Sequence, residues 1–144
     1  MGYRSEVAYV VCFRTEKLRK EYIALVKAHG GELLEALNEC EAPDPFSEES
    51  EARLNFYADY VKWYDDFPDV KAHTKLYEWA LELYPDDVGY RFIRVGEESG
   101  DIQDEDAGSN DLIPYDDFHP TQSMNVPFNV GYTPIGKEQE NVTV

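Results

Sequence analysis

The chain has 144 residues, 30 acidic against 13 basic side chains, and a formal net charge of −17. Its hydrophobic content of 42%, with 11 tyrosines, is too high for a disordered acidic protein, so we expect one compact core. The charge disfavours direct binding to nucleic acid or to membrane headgroups. Because no secretory leader is recognisable and the longest apolar run, residues 7–13, is too short to span a bilayer, we expect a cytoplasmic protein.

The first part of the chain predicts a strand followed by a helix. Residues 6–14, EVAYVVCFR, form a run rich in β-branched and aromatic residues that is apolar on both alternating faces, which is typical of a strand in the middle of a covered sheet. Thr15 can cap a helix that ends at Gly30-Gly31. Residues 31–41 fit either a helix or a short strand, and the sequence leaves both open.

A second strand and helix follow a loop rich in proline and serine. Residues 53–64 predict a strand with Leu54, Phe56, Ala58 and Tyr60 on one face and Tyr57, Val61 and Trp63 on the other. Pro68 is suited to the first turn of the helix that follows, with a preceding carboxylate expected as its cap. Residues 89–95, GYRFIRV, predict a further strand.

These two strand–helix units predict an α+β fold of the ferredoxin-like split β-α-β type, a mostly antiparallel sheet with two helices on one face. The alternative is a three-stranded sheet in which residues 31–41 are helical. We place the core domain at residues 1–98. Residues 99–144 form an irregular C-terminal extension, acidic at first and then rich in Pro, Asn and Gly.

Seventeen of the 30 acidic residues fall in residues 28–52 and 95–136, two stretches without Lys or Arg. If the fold joined them, their carboxylates would imitate the phosphates of a DNA duplex, which carries one charge per ~1.7 Å. A protein with a basic, nucleic-acid-binding surface is the partner we expect. The candidate partner-binding residues are Glu39, Glu41, Glu48, Glu49 and Glu51 in the first stretch, and Asp101, Asp104, Glu105, Asp106, Asp116 and Asp117 in the second.

Catalytic and metal-binding patterns are weak in comparison. The acidic residues after position 100 lack the spacing of a calcium loop, and the three histidines have no partners at zinc-ligand spacing. We therefore predict no catalytic residue, no metal and no cofactor, and keep a carboxylate-and-metal hydrolase only as a third hypothesis. Among the aromatic residues, strand and helix periods assign Tyr60 and Tyr77 to the core, whereas Trp79 lies off the helical stripe and is predicted to contact a partner.

Three segments, MGYRSEVAYVV, YVKWYDDFPDV and YRFIRVGEESGDI, resemble motifs of small accessory proteins of tailed bacteriophages and prophages. The resemblance covers residues 1–106 in scattered pieces, and that group has no established activity. It implies a virus-encoded accessory protein made in a bacterial cytoplasm. Small acidic phage proteins often act by binding a host enzyme, and inhibitors of restriction, CRISPR or nuclease systems are among the known examples.

The leading hypothesis is therefore a non-enzymatic phage-type binding protein that inhibits a host defence or nucleic-acid-processing protein by mimicking the charge of DNA. The alternative is a structural or assembly accessory protein that makes homo-oligomeric or virion contacts, in which case the charge serves solubility alone.

Overall fold

The computed structural model describes residues 2–43, 52–98, 100–113 and 132–134. Within them the chain forms three helices and six strands, in the α+β class that the sequence predicts. In chain order these are β1 (Ser5–Phe13), α1 (Glu16–His29), α2 (Gly31–Asn38), β2 (Glu41–Pro43), β3 (Arg53–Val61), α3 (Pro68–Leu83), β4 (Val88–Gly96), β5 (Ile102–Gly108) and β6 (Tyr132–Pro134).

The strands form one antiparallel sheet in the order β5-β4-β1-β3-β2-β6. Four long strands, β5, β4, β1 and β3, make up most of it, and β2 and β6 contribute three residues each. As predicted, the apolar first strand lies inside the sheet, with β3 on one side and β4 on the other.

The sheet buries both faces of β1. Tyr9 and Val11 are fully buried on the face that packs against the helices, while Ala8 and Val10 are fully buried on the opposite face. The large core therefore lies between the sheet and three helices, one more than predicted. None of the described helices is long and apolar enough to cross a bilayer.

Residues 31–41, which the sequence left open, contain both a helix and a strand. Gly30 and Gly31 adopt left-handed φ values of 69° and 65°, which lets α2 begin in a new direction directly after α1. The predicted cap of α1 is confirmed, since the Thr15 hydroxyl accepts a hydrogen bond from the Leu18 amide. The predicted carboxylate cap of α3 is wrong: Phe67 holds that position without a side-chain bond, and Pro68 opens the helix.

A bulge near the end of β3 reverses the predicted orientation of two aromatic side chains. Relative to β1, β3 has one extra residue between Ala58 and Val61, and Tyr60 has a φ of 58°. Tyr60 is 70% exposed, so its assignment to the core is wrong. Trp63 returns to the helix-facing side, 5.8 Å from the Phe56 ring, because the extra residue shifts the alternation of side chains.

The acidic segment after residue 98 begins with a regular strand rather than an irregular tail. β5 pairs with β4 over seven consecutive positions, from Val95↔Ile102 to Gly89↔Gly108. The sequence IQDEDAG obscures this strand because charged residues fall on both of its faces, and only a strand at the edge of a sheet can expose both. The sheet therefore continues past the predicted domain boundary.

Candidate functional site

Helices α2 and α3 pack together and enclose a cleft of about 250 Å³. Among the described residues that line it, none is a lysine or an arginine. We call this site the α2–α3 cleft; its lining consists of Glu32, Glu35, Ala36, Glu39, Pro68, Asp69 and His73. Only Glu39 of this set was selected from the sequence.

The spacing along α2 places the carboxylates of the cleft on one side of the helix. Glu32, Glu35 and Glu39 are three and four residues apart, while Leu33 and Leu37 turn into the core. Like charges at such spacing destabilise a helix by about 0.2–0.5 kcal/mol per pair. Glu32 lies in the first turn of α2, where the helix dipole favours a negative charge, and Glu39 lies within hydrogen-bond distance of His73, so both ends of this row are supported.

The floor of the cleft is a chain of hydrogen bonds that ends in the core. His73 is 2% exposed; its Nε2 lies 3.2 Å from Glu39 Oε2 and its Nδ1 lies 2.6 Å from the Tyr9 hydroxyl. A carboxylate can only accept, so the protonated Nε2 of His73 donates a hydrogen bond to Glu39. The unprotonated Nδ1 of neutral His73 accepts a hydrogen bond from the Tyr9 hydroxyl. The Cys40 thiol lies 3.4 Å from the same hydroxyl.

Burial determines the protonation states of His73 and Tyr9 in this row of hydrogen bonds. It lowers the pKa of His73, against the opposing effect of the Glu39 and Asp69 carboxylates, and it raises the pKa of Tyr9. A neutral histidine leaves the charge of the surrounding carboxylates uncompensated. Tyr9 and Cys40 are fully buried, so the end of the chain that reaches solvent is the Glu39 side chain, which is 57% exposed.

The surface beside the cleft has a different character. Lys71 and Lys75 line an adjoining groove together with Glu32 and Asp66, and Glu32 borders both this groove and the cleft. Lys75 Nζ also lies 6.0 Å from the centre of the Trp79 ring. The structure places Trp79 partly buried, with edge-to-face contacts to Tyr22 and His29.

A second acidic surface lies along the last long strand. We call it the β5 edge; it comprises Asp101, Asp104, Glu105 and Asp106, all selected from the sequence. Arg91 holds Asp104 through two hydrogen bonds of 3.1 and 2.9 Å. Asp101 accepts from Arg94 and from the Tyr3 hydroxyl, and these bonds lower the pKa of the Asp101 carboxyl.

Glu105 and Asp106 have no ion pair within the described residues. Glu78, which the sequence did not indicate, affects the same tyrosine as these two carboxylates: burial, followed by the charges of Glu78, Glu105 and Asp106, raises the pKa of Tyr90. Glu78 is on an exposed position of α3. Because it is 27 and 28 residues from the other two in the chain, only the packing of α3 on the sheet joins them.

The strands that carry the selected acidic residues of the two stretches, β5 and β2, lie far apart in the sheet, whereas β6, a described part of the second stretch without an acidic residue, pairs with β2. β5 is separated from β2, which contains Glu41, by four strand spacings, or about 19 Å. The structure therefore does not join Glu39 and Glu41 to the β5 edge. The other candidate residues, Glu48, Glu49, Glu51, Asp116 and Asp117, lie outside the described residues.

No group of three or more His, Cys, Asp or Glu side chains in the described part of the chain is arranged to hold a metal ion. We found no match to this chain among protein-family models, curated proteins or solved structures. Its fold and its surfaces define an α+β protein with an antiparallel sheet and two separate acidic surfaces.

Proposed function

We propose that this chain is a non-enzymatic binding protein that places its carboxylates on the basic, nucleic-acid-binding surface of another protein and thereby blocks it. In the context that the sequence resemblance implies, the protein is phage-encoded, acts in the bacterial cytoplasm and inhibits a host defence or nucleic-acid-processing protein.

The observation that carries this proposal is the α2–α3 cleft. It is concave, four carboxylates line it, and the neutral His73 at its floor adds no positive charge. A protruding lysine or arginine of a partner would find several acceptors there. Because His73 holds Glu39 in place, less conformational entropy is lost on binding than for a free side chain.

Mimicry of DNA charge is part of the proposal, and the β5 edge supports it. Arg91 and Arg94 pair with the Asp104 and Asp101 carboxylates and balance their charge, so Glu105 and Asp106 on β5 supply the negative charge that would imitate phosphates. The cleft lies between two helices and the β5 edge lies on a strand, so the two surfaces would contact different parts of a partner.

The first step of the test is to identify and purify a partner. Proteins from a bacterial lysate that bind the immobilised chain at low salt and elute at high salt are identified, purified and loaded with a fluorescent DNA duplex. We expect the chain to displace the duplex. A purified partner that binds the chain and the duplex at the same time would contradict the proposal.

Three variants, each with three charges removed, locate the contact. We expect the cleft variant to lose at least about tenfold in affinity and to show a flatter salt dependence, and the control variant to bind like the wild type. The cleft variant is Glu32→Gln/Glu35→Gln/Glu39→Gln, the edge variant is Asp104→Asn/Glu105→Gln/Asp106→Asn, and the control, at exposed positions elsewhere, is Glu21→Gln/Asp59→Asn/Glu82→Gln. Equal losses of affinity in the cleft and control variants would mean that binding depends on net charge and not on the cleft.

One observation favours the alternative, an assembly protein. Tyr60 is 70% exposed and has a left-handed backbone, and large exposed aromatic residues are enriched at interfaces. In that case light scattering would show an oligomer that high salt does not dissociate and that Tyr60→Ser weakens.

We further propose that the fold is of the ferredoxin-like split β-α-β type. The strand order β4-β1-β3-β2, with helical segments between β1 and β2 and between β3 and β4, supports this assignment. Its weakest element is β2, which pairs with β3 only at Glu41↔Asn55.

A further inference from the structure

β5 is an edge strand whose outer side is open in the described structure. At its two ends, Gly96 N donates to Asp101 O and Ser109 N donates to Val88 O. Hydrogen-bonded pairs recur at every second residue of an antiparallel ladder, so the odd-numbered residues of β5 bond to β4. The backbone groups of the even-numbered residues therefore point away from the sheet: Ile102, Asp104, Asp106 and Gly108.

These groups form a regular row. The Ile102 amide is already used, since it donates to Gly100 O over 3.0 Å. The amides of Asp104 and Asp106, with the carbonyl groups of the same two residues, remain on the outer side. β5 follows β4 over seven positions without a bulge, and Asp104, Glu105 and Asp106 are exposed, so the row is straight and accessible.

The negative charge of this edge indicates which kind of strand can pair with β5. Three successive acidic residues place carboxylates on both faces of the strand, and oppositely charged cross-strand neighbours stabilise a sheet, whereas like charges destabilise it. Pairing with β5 of a second copy would set acid against acid, as in edges that resist self-association. A strand that carries lysine or arginine satisfies both the backbone and the charges.

We propose that β5 binds an extended, basic segment of a partner protein by strand addition, in which the segment becomes a further strand of the sheet next to β5. This inference rests on the proposed function in taking the partner to be basic, and it adds the manner of binding. It assigns the backbone of the β5 edge a role beside its carboxylates.

A pair of peptides separates backbone pairing from charge attraction. The probe is a fluorescein-labelled peptide of seven residues in which lysine and valine alternate. Two control peptides have the same sequence and every charge, but carry N-methyl groups on alternate residues. One is methylated at the odd-numbered and the other at the even-numbered residues, so each lacks the amide donors on one side of the extended peptide. We expect the methylated peptide of one phase to bind at least about tenfold more weakly in fluorescence anisotropy. We also expect the unmethylated peptide to shift the amide resonances of Asp104 and Asp106.

A protein variant tests the same contact from the other side. The Asp106 amide points outward, so Asp106→Pro removes a donor to the partner and leaves the bonds between β4 and β5 intact. Asp106→Asn removes the charge and keeps the donor. We expect the proline variant to lose more affinity than the asparagine variant, with circular dichroism confirming that both are folded.

The outcomes are distinct. Equal affinity for the unmethylated peptide and both methylated peptides, or no binding of any of them, would overturn strand addition. A dimer in light scattering that Asp106→Pro disrupts would also overturn it, in favour of a second copy as the occupant. The duplex-displacement experiment does not involve these peptides, so strand addition can fail while the proposed function holds.

Discussion

The α2–α3 cleft and the β5 edge present similar charge on very different supports. The cleft lies against the core, and its Glu39 carboxylate connects through His73 to Tyr9, which is fully buried in the central strand. The β5 edge lies at the periphery and depends on a single neighbouring strand and on two arginines. Charge in the cleft is thus coupled to global stability, whereas charge on the edge is coupled to the local opening of one hairpin.

The two regions also differ in how a partner would recognise them. The cleft offers side-chain oxygens in a concave space, which suits the end of one cationic side chain. The edge offers backbone groups and carboxylates along a line, which suits an extended segment. Acidic residues that appear alike in the sequence therefore have separate roles in the proposed function.

The largest expected effect of a single substitution is in the support of the cleft. Tyr9→Phe removes the proton donor to His73 Nδ1 and leaves that nitrogen unpaired in the core, so we expect a loss of about 1–3 kcal/mol in the free energy of unfolding. Tyr3→Phe, which removes a hydroxyl bonded to Asp101 at the β5 edge, is the matched control. Urea titrations measure both, and equal losses would refute the contrast between core and periphery.

A smaller and local effect is expected at the β5 edge. Asp104→Asn weakens the two-bond contact with Arg91, and we expect opening of the hairpin to become easier by about 1 kcal/mol. Hydrogen exchange should rise at the β4 and β5 amides and remain unchanged in α2. Glu105→Gln, at a position opposite Phe92 and without an ion pair in the described structure, is the control; the same change there would show that Arg91 is not the cause.

The smallest effect is a pH dependence specific to the cleft. Burial lowers the pKa of His73 in the folded chain, so below about pH 6.5 the unfolded chain binds more protons and the free energy of unfolding falls. His73→Gln should remove this component between about pH 8 and about pH 5. His29→Gln, at an exposed position, should leave it in place. If the free energy of unfolding changed with pH in the same way in His73→Gln and in the wild type, protonation of His73 would not contribute to the pH dependence of stability.

Much of the fold could be predicted because its signals are local. The apolar run of β1, the cap at Thr15 and the glycines after α1 act over a few residues, and each has the predicted result. The bulge in β3 and strand β5 could not be predicted in the same way. A bulge is defined only against the partner strand, and charge on both faces of a strand is tolerated only at an edge.

The sequence by itself determined the α+β class, the central strand and the excess of acid in two stretches, because composition and short-range periodicity are properties of the chain alone. Only the tertiary structure decided where that acid lies. Helix packing joined Glu39 to Asp69 and His73 in a cleft, and strand order separated β5, with its carboxylates, from β2, which contains Glu41. Contacts between residues so far apart in the chain depend on how the elements pack, which no local pattern specifies.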